Sequence, residues 1–448
     1  MLPEGWGSNV LIDIGDDGLI AEVHTDIAPG DAEMVAGALL PGMSNVHSHA
    51  FQRAMAGLTE KCGPGGDDFW AWRNLMYRFL ARITPEDNEA IATQVYIEML
   101  KSGYTSVAEF HYLHHDEAGH AYANRDEMAQ RILAAASTAG MGLTLLPVLY
   151  RHGGCGGAPP TAHQKRFVLG VDDFNALTQA LHQRREGVLR RVGIAPHSLR
   201  AVTPDELHAV IGAFDDLDAT APVHIHAAEQ QREVDDCLTW SGRRPVAWLL
   251  DNCPVNPHWC LVHATHMTDD ETLRLAQSGA VAGLCPSTEA NLGDGIFKLP
   301  AYLMQRGSFG IGGDSHVGVN PFQELAFIEY AQRLKSARRN VLHFSDGAST
   351  GGGLWRRALL GGAQALGQRT GAIARGCHAD LLVLNADDAA LVERSGDDLL
   401  DAVIFGPCKS AVRDVMVNGK WVVRAGHHAE EGRALANYRN TLRRLLCN

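Results

Sequence analysis

The sequence predicts an α/β chain: a (β/α)8 TIM-like barrel carrying a small β-sandwich domain assembled from both termini. Three observations predict it. Eight short apolar runs alternate with helical patterns through the middle of the chain. The two ends share a strand-and-turn character that the middle lacks. Four segments bearing histidine or aspartate also fall at the C-terminal ends of apolar runs, where barrels of this kind build their sites.

The N-terminal stretch NVLIDIGDDGLIAEVH alternates short apolar segments with Gly and Asp turns and reads as antiparallel strands. The C-terminal stretch, about 371–424, has the same character through ADLLVLN, DAVIFG and VRDVMVNGKWVV, with Asn418-Gly419 as a hairpin turn. Residues 1–40 and 366–448 are therefore expected to form one composite β domain, and 41–365 the barrel. The eight barrel strands are expected at 42–47, 104–110, 143–149, 191–196, 222–227, 259–264, 280–285 and 308–313. Helix signals lie between them. Thr84-Pro85-Glu86-Asp87 offers an N-cap, an N1 proline and first-turn acids; Ile91, Val95 and Met99 then form an i, i+4 stripe, and Gly103 follows the last turn. Thr203-Pro204-Asp205-Glu206 repeats the opening signal. GGCGGAPP (153–160) and STGGG (349–353) read as loops. A doubly wound open sheet is the alternative, but no G-x-G-x-x-G follows a first strand.

Composition bounds the function. The 448 residues, 46% hydrophobic and 20% charged, suit a globular protein with a large core. No apolar run is long enough to span a bilayer, and the N-terminus lacks the pattern of a secretory signal. Nine scattered cysteines with no CxxC pair point to reduced thiols and a cytoplasmic setting. Thirty-nine Lys and Arg against 52 Asp and Glu leave a formal charge of −13, which disfavours nucleic acid and anionic lipid as partners. An anionic small substrate would then need arginines of its own. A homodimer is the default assembly.

Four segments carry the chemistry. In LLPGMSNVHSHAFQR (39–53), His47 and His49 stand at i and i+2 of a strand, so both face one side and can converge on one cation. VHIHAAE (223–229) closes the fifth expected strand with His226, WCLVHAT (259–265) the sixth with His263, and GIGGDS (310–315) the eighth with Asp314. Such placements on strands one, five, six and eight are hard to obtain by accident. His224 and His266 read as neighbours of the site, not as ligands, because zinc takes four ligands and a catalytic ion keeps a position open.

On these residues, and over almost its whole length, the chain resembles the amidohydrolase superfamily. The resemblance implies His47, His49, His226 and Asp314 as metal ligands and Glu229 as the proton-shuttling acid, from its H-x-x-E spacing to His226. It implies His263 as the histidine that polarises the nucleophile and the developing intermediate, and gives Asp314 a second role as proton acceptor. The binuclear members bridge two ions through a modified lysine on strand four; here that strand reads RVGIAPHSLR (191–200), with no lysine, which favours one ion per chain. Zn2+ is the first expectation and Fe2+ the second.

Within the superfamily the segments HSHAFQRAMAG (47–57), FWAWRNLMYRF (69–79), EFHYLHHD (109–116), APHSLRAV (195–202) and GDSHVGVNP (313–321) most resemble the formimidoylglutamate deiminases (N-formimino-L-glutamate iminohydrolases) of bacterial histidine degradation. That resemblance implies Gln52, Arg73, Tyr112, His197 and Arg200 as holders of a small dicarboxylate substrate, and hydrolytic deimination by a metal-activated water. Residue chemistry agrees, since a guanidinium forks bidentately onto a carboxylate. On residue type alone, Arg73 reads first as a helix-surface residue, and Arg200 could equally lie in a loop salt bridge. Two alternatives stay open: a deaminase of guanine, an adenosine derivative or a triazine, and an inactive barrel scaffold.

Overall fold

The computed structural model describes every residue except 29, 61–68, 185–186, 345–346, 407, 409–410 and 448, with the side chains of 69–71 also outside the description. Cys62 is thus outside the described residues; the other eight cysteines are free thiols.

Eight parallel strands form the barrel wall. In chain order they begin with Met43–Ser48, Tyr104–His111, Gly142–Leu149 and Leu189–Val192, and continue with Val223–Ala227, Trp259–His263, Val281–Leu284 and Ser308–Ile311. Every neighbouring pair in the ladder is parallel, and the eighth strand returns to the first through Ile311 opposite Asn45. The first, second, third, fifth, sixth and seventh strands are buried throughout, as strands covered on both faces must be.

The fourth strand differs from the single run expected at 191–196. It breaks at Gly193 and resumes as Ala195–Pro196, which pairs with the third strand. The reason is local crowding: a Cβ on Gly193 would sit 2.3 Å from the carbonyl oxygen of Pro222. The break lets Ile194 donate to Pro222 O at 3.0 Å and His224 donate to Ile194 O at 2.9 Å, which closes the barrel onto the fifth strand.

The connecting helices follow their sequence signals. Pro85–Ser102 and Pro204–Asp218 both open with complete capping boxes, on Thr84/Asp87 and Thr203/Glu206. The helix Thr350–Leu366 packs on the eighth strand with no side chain between, since a Cβ on Gly361 would overlap the carbonyl of Phe309. STGGG is consequently not a loop. Ser349 caps that helix by accepting from Gly352 N at 2.7 Å, and the glycines fill its first turn.

The termini meet in a second body. The strands Leu39–Pro41, Leu381–Leu384, Val412–Val417, Lys420–Arg424 and His427–His428 form a five-stranded antiparallel sheet, and Leu11–Ile14 pairs with Ile20–His24 beside it. Ile20, Ile373, Ala379, Leu381 and Met416 form a small core between these layers. Asn418 and Gly419, at φ 49° and 75°, make the expected two-residue hairpin. DAVIFG is not a strand: it ends the helix Asp397–Phe405, where Asp397 and Asp398 occupy the first turn and Leu400, Val403 and Ile404 turn inward at helical spacing. Arg190 at the barrel foot ties the bodies together through a two-pronged bond to Asp380, at 2.7 and 3.0 Å.

Candidate active site

The site grows from two strand ends zipped together. Asp314 N donates to His47 O and His49 N donates to Asp314 O, both at 3.0 Å, so the HxH segment and the aspartate share one ladder. Asp314 at φ 48° and His263 at φ 67° both stand in the left-handed region, which side-chain-bearing residues avoid unless their surroundings impose it. This turn out of strand geometry sits at two of the residues expected to do chemistry.

Three imidazoles point at one another. His47 Nε2 lies 3.1 Å from His49 Nε2 and 3.0 Å from His226 Nε2, and all three rings are buried. Their tautomers follow from the other nitrogens. His49 Nδ1 faces the carbonyl of Phe110 at 3.1 Å and His226 Nδ1 that of His197 at 3.0 Å. Each Nδ1 must therefore carry a proton, which leaves each Nε2 a lone pair aimed into the cluster. Burial also holds His49 at about 3 and His47 and His226 well below the ordinary histidine range, so the rings are neutral. Neutral imidazoles with converging lone pairs repel unless a cation sits between them. Asp314 Oδ1 stands 3.6 Å from His47 Nε2 and 3.4 Å from His49 Nε2 and brings the matching negative charge. The donor set fits a divalent metal.

Beyond this cluster stand Glu229 and His263. His263 Nε2 is 3.8 Å from Glu229 Oε1 and 3.7 Å from Asp314 Oδ2, and has no hydrogen-bond partner of its own among the described residues. Against a burial penalty that works the other way, Glu229, Glu289 and Asp314 hold His263 up at about 10. Burial pushes Asp314 up to about 7, with His263 pulling it back. His224 and His266 are not in the cluster: His224 Nε2 bonds outward to Ala365 O at 2.7 Å, and His266 sits on the loop after the sixth strand.

The other expected residues share the same cavity. Gln52, Arg73, Tyr112, His197 and Arg200 line it with His49, His226, Glu229 and Asp314. Its volume of about 190 Å³ lies below the roughly 300–1,000 Å³ of pockets for drug-sized ligands and suits a small substrate. Gln52 Nε2 donates to the Tyr112 hydroxyl at 2.9 Å, leaving Gln52 Oε1 buried without a partner. Arg200 is half-buried and stands 3.5 Å from Glu229 Oε2 and 3.9 Å from Glu233 Oε2. The loop salt bridge and the pocket position are thus both true of it.

Two carboxylates went unread in the sequence. Glu289 Oε1 takes His263 Nδ1 at 3.2 Å and the Cys285 backbone N–H at 2.9 Å, orienting the ring. Glu233 accepts the N–H groups of Ala228 and Glu229, each at 3.1 Å, and so fixes the turn that presents Glu229. Glu233, four residues after Glu229 at a helix start, carried a faint capping signal; Glu289 carried none.

Residues 38–422 match the amidohydrolase family. The chain belongs to the amidohydrolase family. It is 54% identical over 447 residues to the formimidoylglutamate deiminase of Pseudomonas aeruginosa, covering 100% of this chain and 98% of that one. It is 29% identical over 410 residues to the 8-oxoguanine deaminase of the same species, covering 89% and 84%. The crystal structure of an amidohydrolase from Brucella melitensis superposes with a TM-score of 0.95 at 47% identity, over 100% of this chain and 98% of the other. The family is one of metal-dependent hydrolases, and His47, His49 and His226 are placed to hold an ion. Among the described residues no helix is long and apolar enough to cross a membrane.

Proposed function

We propose that this amidohydrolase hydrolyses N-formimino-L-glutamate to N-formyl-L-glutamate and ammonia, with one divalent ion per chain. The observation that carries the reading is that one small cavity opens on His49 and His226 of the three-histidine cluster and is lined by arginines, Arg73 and Arg200 among them. A dicarboxylate matches that charge, and a neutral purine or triazine does not. The deiminase name of the relative at 54% identity supports the same substrate.

The geometry supports a role for each residue. His47, His49 and His226 offer neutral Nε2 lone pairs and Asp314 a carboxylate, a set that suits Zn2+ first and Fe2+ second. Such an ion supplies Lewis acidity, lowering the pKa of a bound water to near neutrality. Asp314 is the acceptor for the proton that water gives up, and Glu229 delivers a proton to the departing nitrogen. His263, oriented by Glu289, steadies the developing charge beside both. Arg73 and Arg200 grip the two carboxylates, while Gln52, Tyr112 and His197 hold their remaining oxygens and the substrate backbone. We further expect a cytoplasmic homodimer, to be read by light scattering on the purified enzyme.

The test is ammonia release from N-formimino-L-glutamate set beside guanine, an adenosine derivative and a triazine, with elemental analysis of the same sample. Turnover of formiminoglutamate alone, with about one ion per chain, is the expected result. Preference for a ring substrate, or two tightly bound ions, would overturn it, and a metal-free chain inactive on all of them would leave a scaffold.

A further inference from the structure

We propose that Tyr150 is an additional substrate-binding residue, whose hydroxyl donates a hydrogen bond to a substrate carboxylate beside Arg73 and Arg200. The proposal rests on the dicarboxylate reading above and extends it to a residue that the sequence did not suggest.

Tyr150 directly follows the third barrel strand, Gly142–Leu149, so it stands at the mouth where substrate enters. It is 7% exposed, packs edge-on against His197 with ring centroids 4.6 Å apart, and lines the cavity with both arginines. Among the described residues its hydroxyl has one partner, Gln164 Nε2, at 2.6 Å.

The direction of that bond is fixed. Gln164 Oε1 accepts from the Thr161 backbone N–H at 2.7 Å and from Thr161 Oγ1 at 3.1 Å. A backbone N–H can only donate, so the amide cannot be turned round, and its NH2 must face the phenol. The glutamine therefore offers the phenol no acceptor. The Tyr150 oxygen is therefore an acceptor, and its own proton has no protein partner among the described residues.

A buried O–H left unspent is costly, and native proteins rarely carry one without a reason. Tyr150 lines a cavity with Arg73 and Arg200, which act electrostatically on its phenol and are donors with no acceptor capacity. A cavity lined by these three donors suits the carboxylates of a dicarboxylate substrate. Burial, with Tyr77 beside it, pushes the Tyr150 phenol up to about 12 against the pull of the two arginines, so the proton is present at any working pH.

The experiment uses the zinc-loaded full chain. Tyr150→Phe deletes the hydroxyl and keeps the ring; KM for formiminoglutamate, and Ki for N-formyl-L-glutamate as competitor, should each rise roughly 10- to 30-fold, with kcat within about 3-fold and metal content unchanged. Gln164→Glu gives the phenol an acceptor and draws its proton away from substrate. It should raise KM in the wild-type background and raise it less in the Tyr150→Phe background, a non-additivity that a purely structural or long-range charge effect would not produce. Wild-type KM in Tyr150→Phe, an equal fall in kcat, or full additivity overturns the proposal while leaving the substrate reading intact. Failure of the unmodified enzyme to bind or turn over the dicarboxylate overturns both.

Discussion

Arg200 is expected to act in two ways at once, and replacing it separates them. Its side chain is half-buried, with the guanidinium 3.5 Å from Glu229 Oε2 and 3.9 Å from Glu233 Oε2. At an effective dielectric of about 20 each contact is worth about 4–5 kcal/mol of gross attraction, most of it cancelled by desolvation. Arg200→Met leaves those two buried carboxylates without their cation, which should cost about 3 kcal/mol of stability. For 448 residues the melting entropy is about 0.9 kcal/mol per kelvin, so Tm should fall by about 3 °C. Activity should fall much further, because a lost bidentate carboxylate contact costs about 2–4 kcal/mol, or roughly 30- to 1,000-fold in kcat/KM. Adding Glu233→Gln removes the uncompensated charge: the double variant should regain at least about 1 kcal/mol of stability and none of the activity. Calorimetric melts and steady-state kinetics on the metal-loaded proteins measure both. If catalysis returns together with stability, Arg200 only balances charge, and the dicarboxylate reading loses its main support.

Three further outcomes are expected. His47→Ala should abolish metal binding, since it removes the imidazole that touches both others; elemental analysis checks this, and a variant that keeps a full complement of ion would refute the ligand set. Glu229→Gln should retain metal and fold while kcat drops by roughly 10²-fold or more, and near-normal turnover would take Glu229 out of the proton path. Asp380 is held below its usual pKa: burial works against this, but the Arg190 charge and its hydrogen bonds, with that of Asn418 N, prevail. A depressed carboxyl stabilises the fold fully above its unfolded value near 3.8 and loses that contribution as pH falls through the lower folded value. Asp380→Asn should therefore cost about 3–5 kcal/mol at pH 7 and converge with wild type in strong acid, and urea melts giving a constant difference across pH would exclude the linkage.

What the sequence disclosed of this site, and what it hid, divides along a physical line. His47 and His49 were legible because the two-residue repeat of a strand puts both on one face. Asp314 and His263 were legible because apolar runs mark strands and barrel sites cluster at their ends. Glu289 was hidden because nothing local connects it to His263; the short helix Pro286–Leu292 after the seventh strand brings it to the end of the sixth. Gln164 was hidden likewise, although its bond decides which way the Tyr150 proton points. DAVIFG misled because a short apolar run has no period long enough to separate strand from helix. The break in strand four was invisible until Pro222 was seen pressed against Gly193.

The route by which the chain enters the barrel has a consequence for how metal and fold communicate. Leu39–Pro41 is zipped into the five-stranded sheet against Leu381–Leu384, and after Gly42 alone the chain becomes the strand that carries His47 and His49. No loop intervenes to absorb a displacement. Slippage at the far sheet must be felt at the histidines, and an ion gripped by the histidines must resist that slippage. The outlying sheet and the catalytic centre therefore belong to one cooperative unit, so that loading the ion should slow amide exchange along Leu381–Leu384, on the opposite side of Gly42 from any ligand.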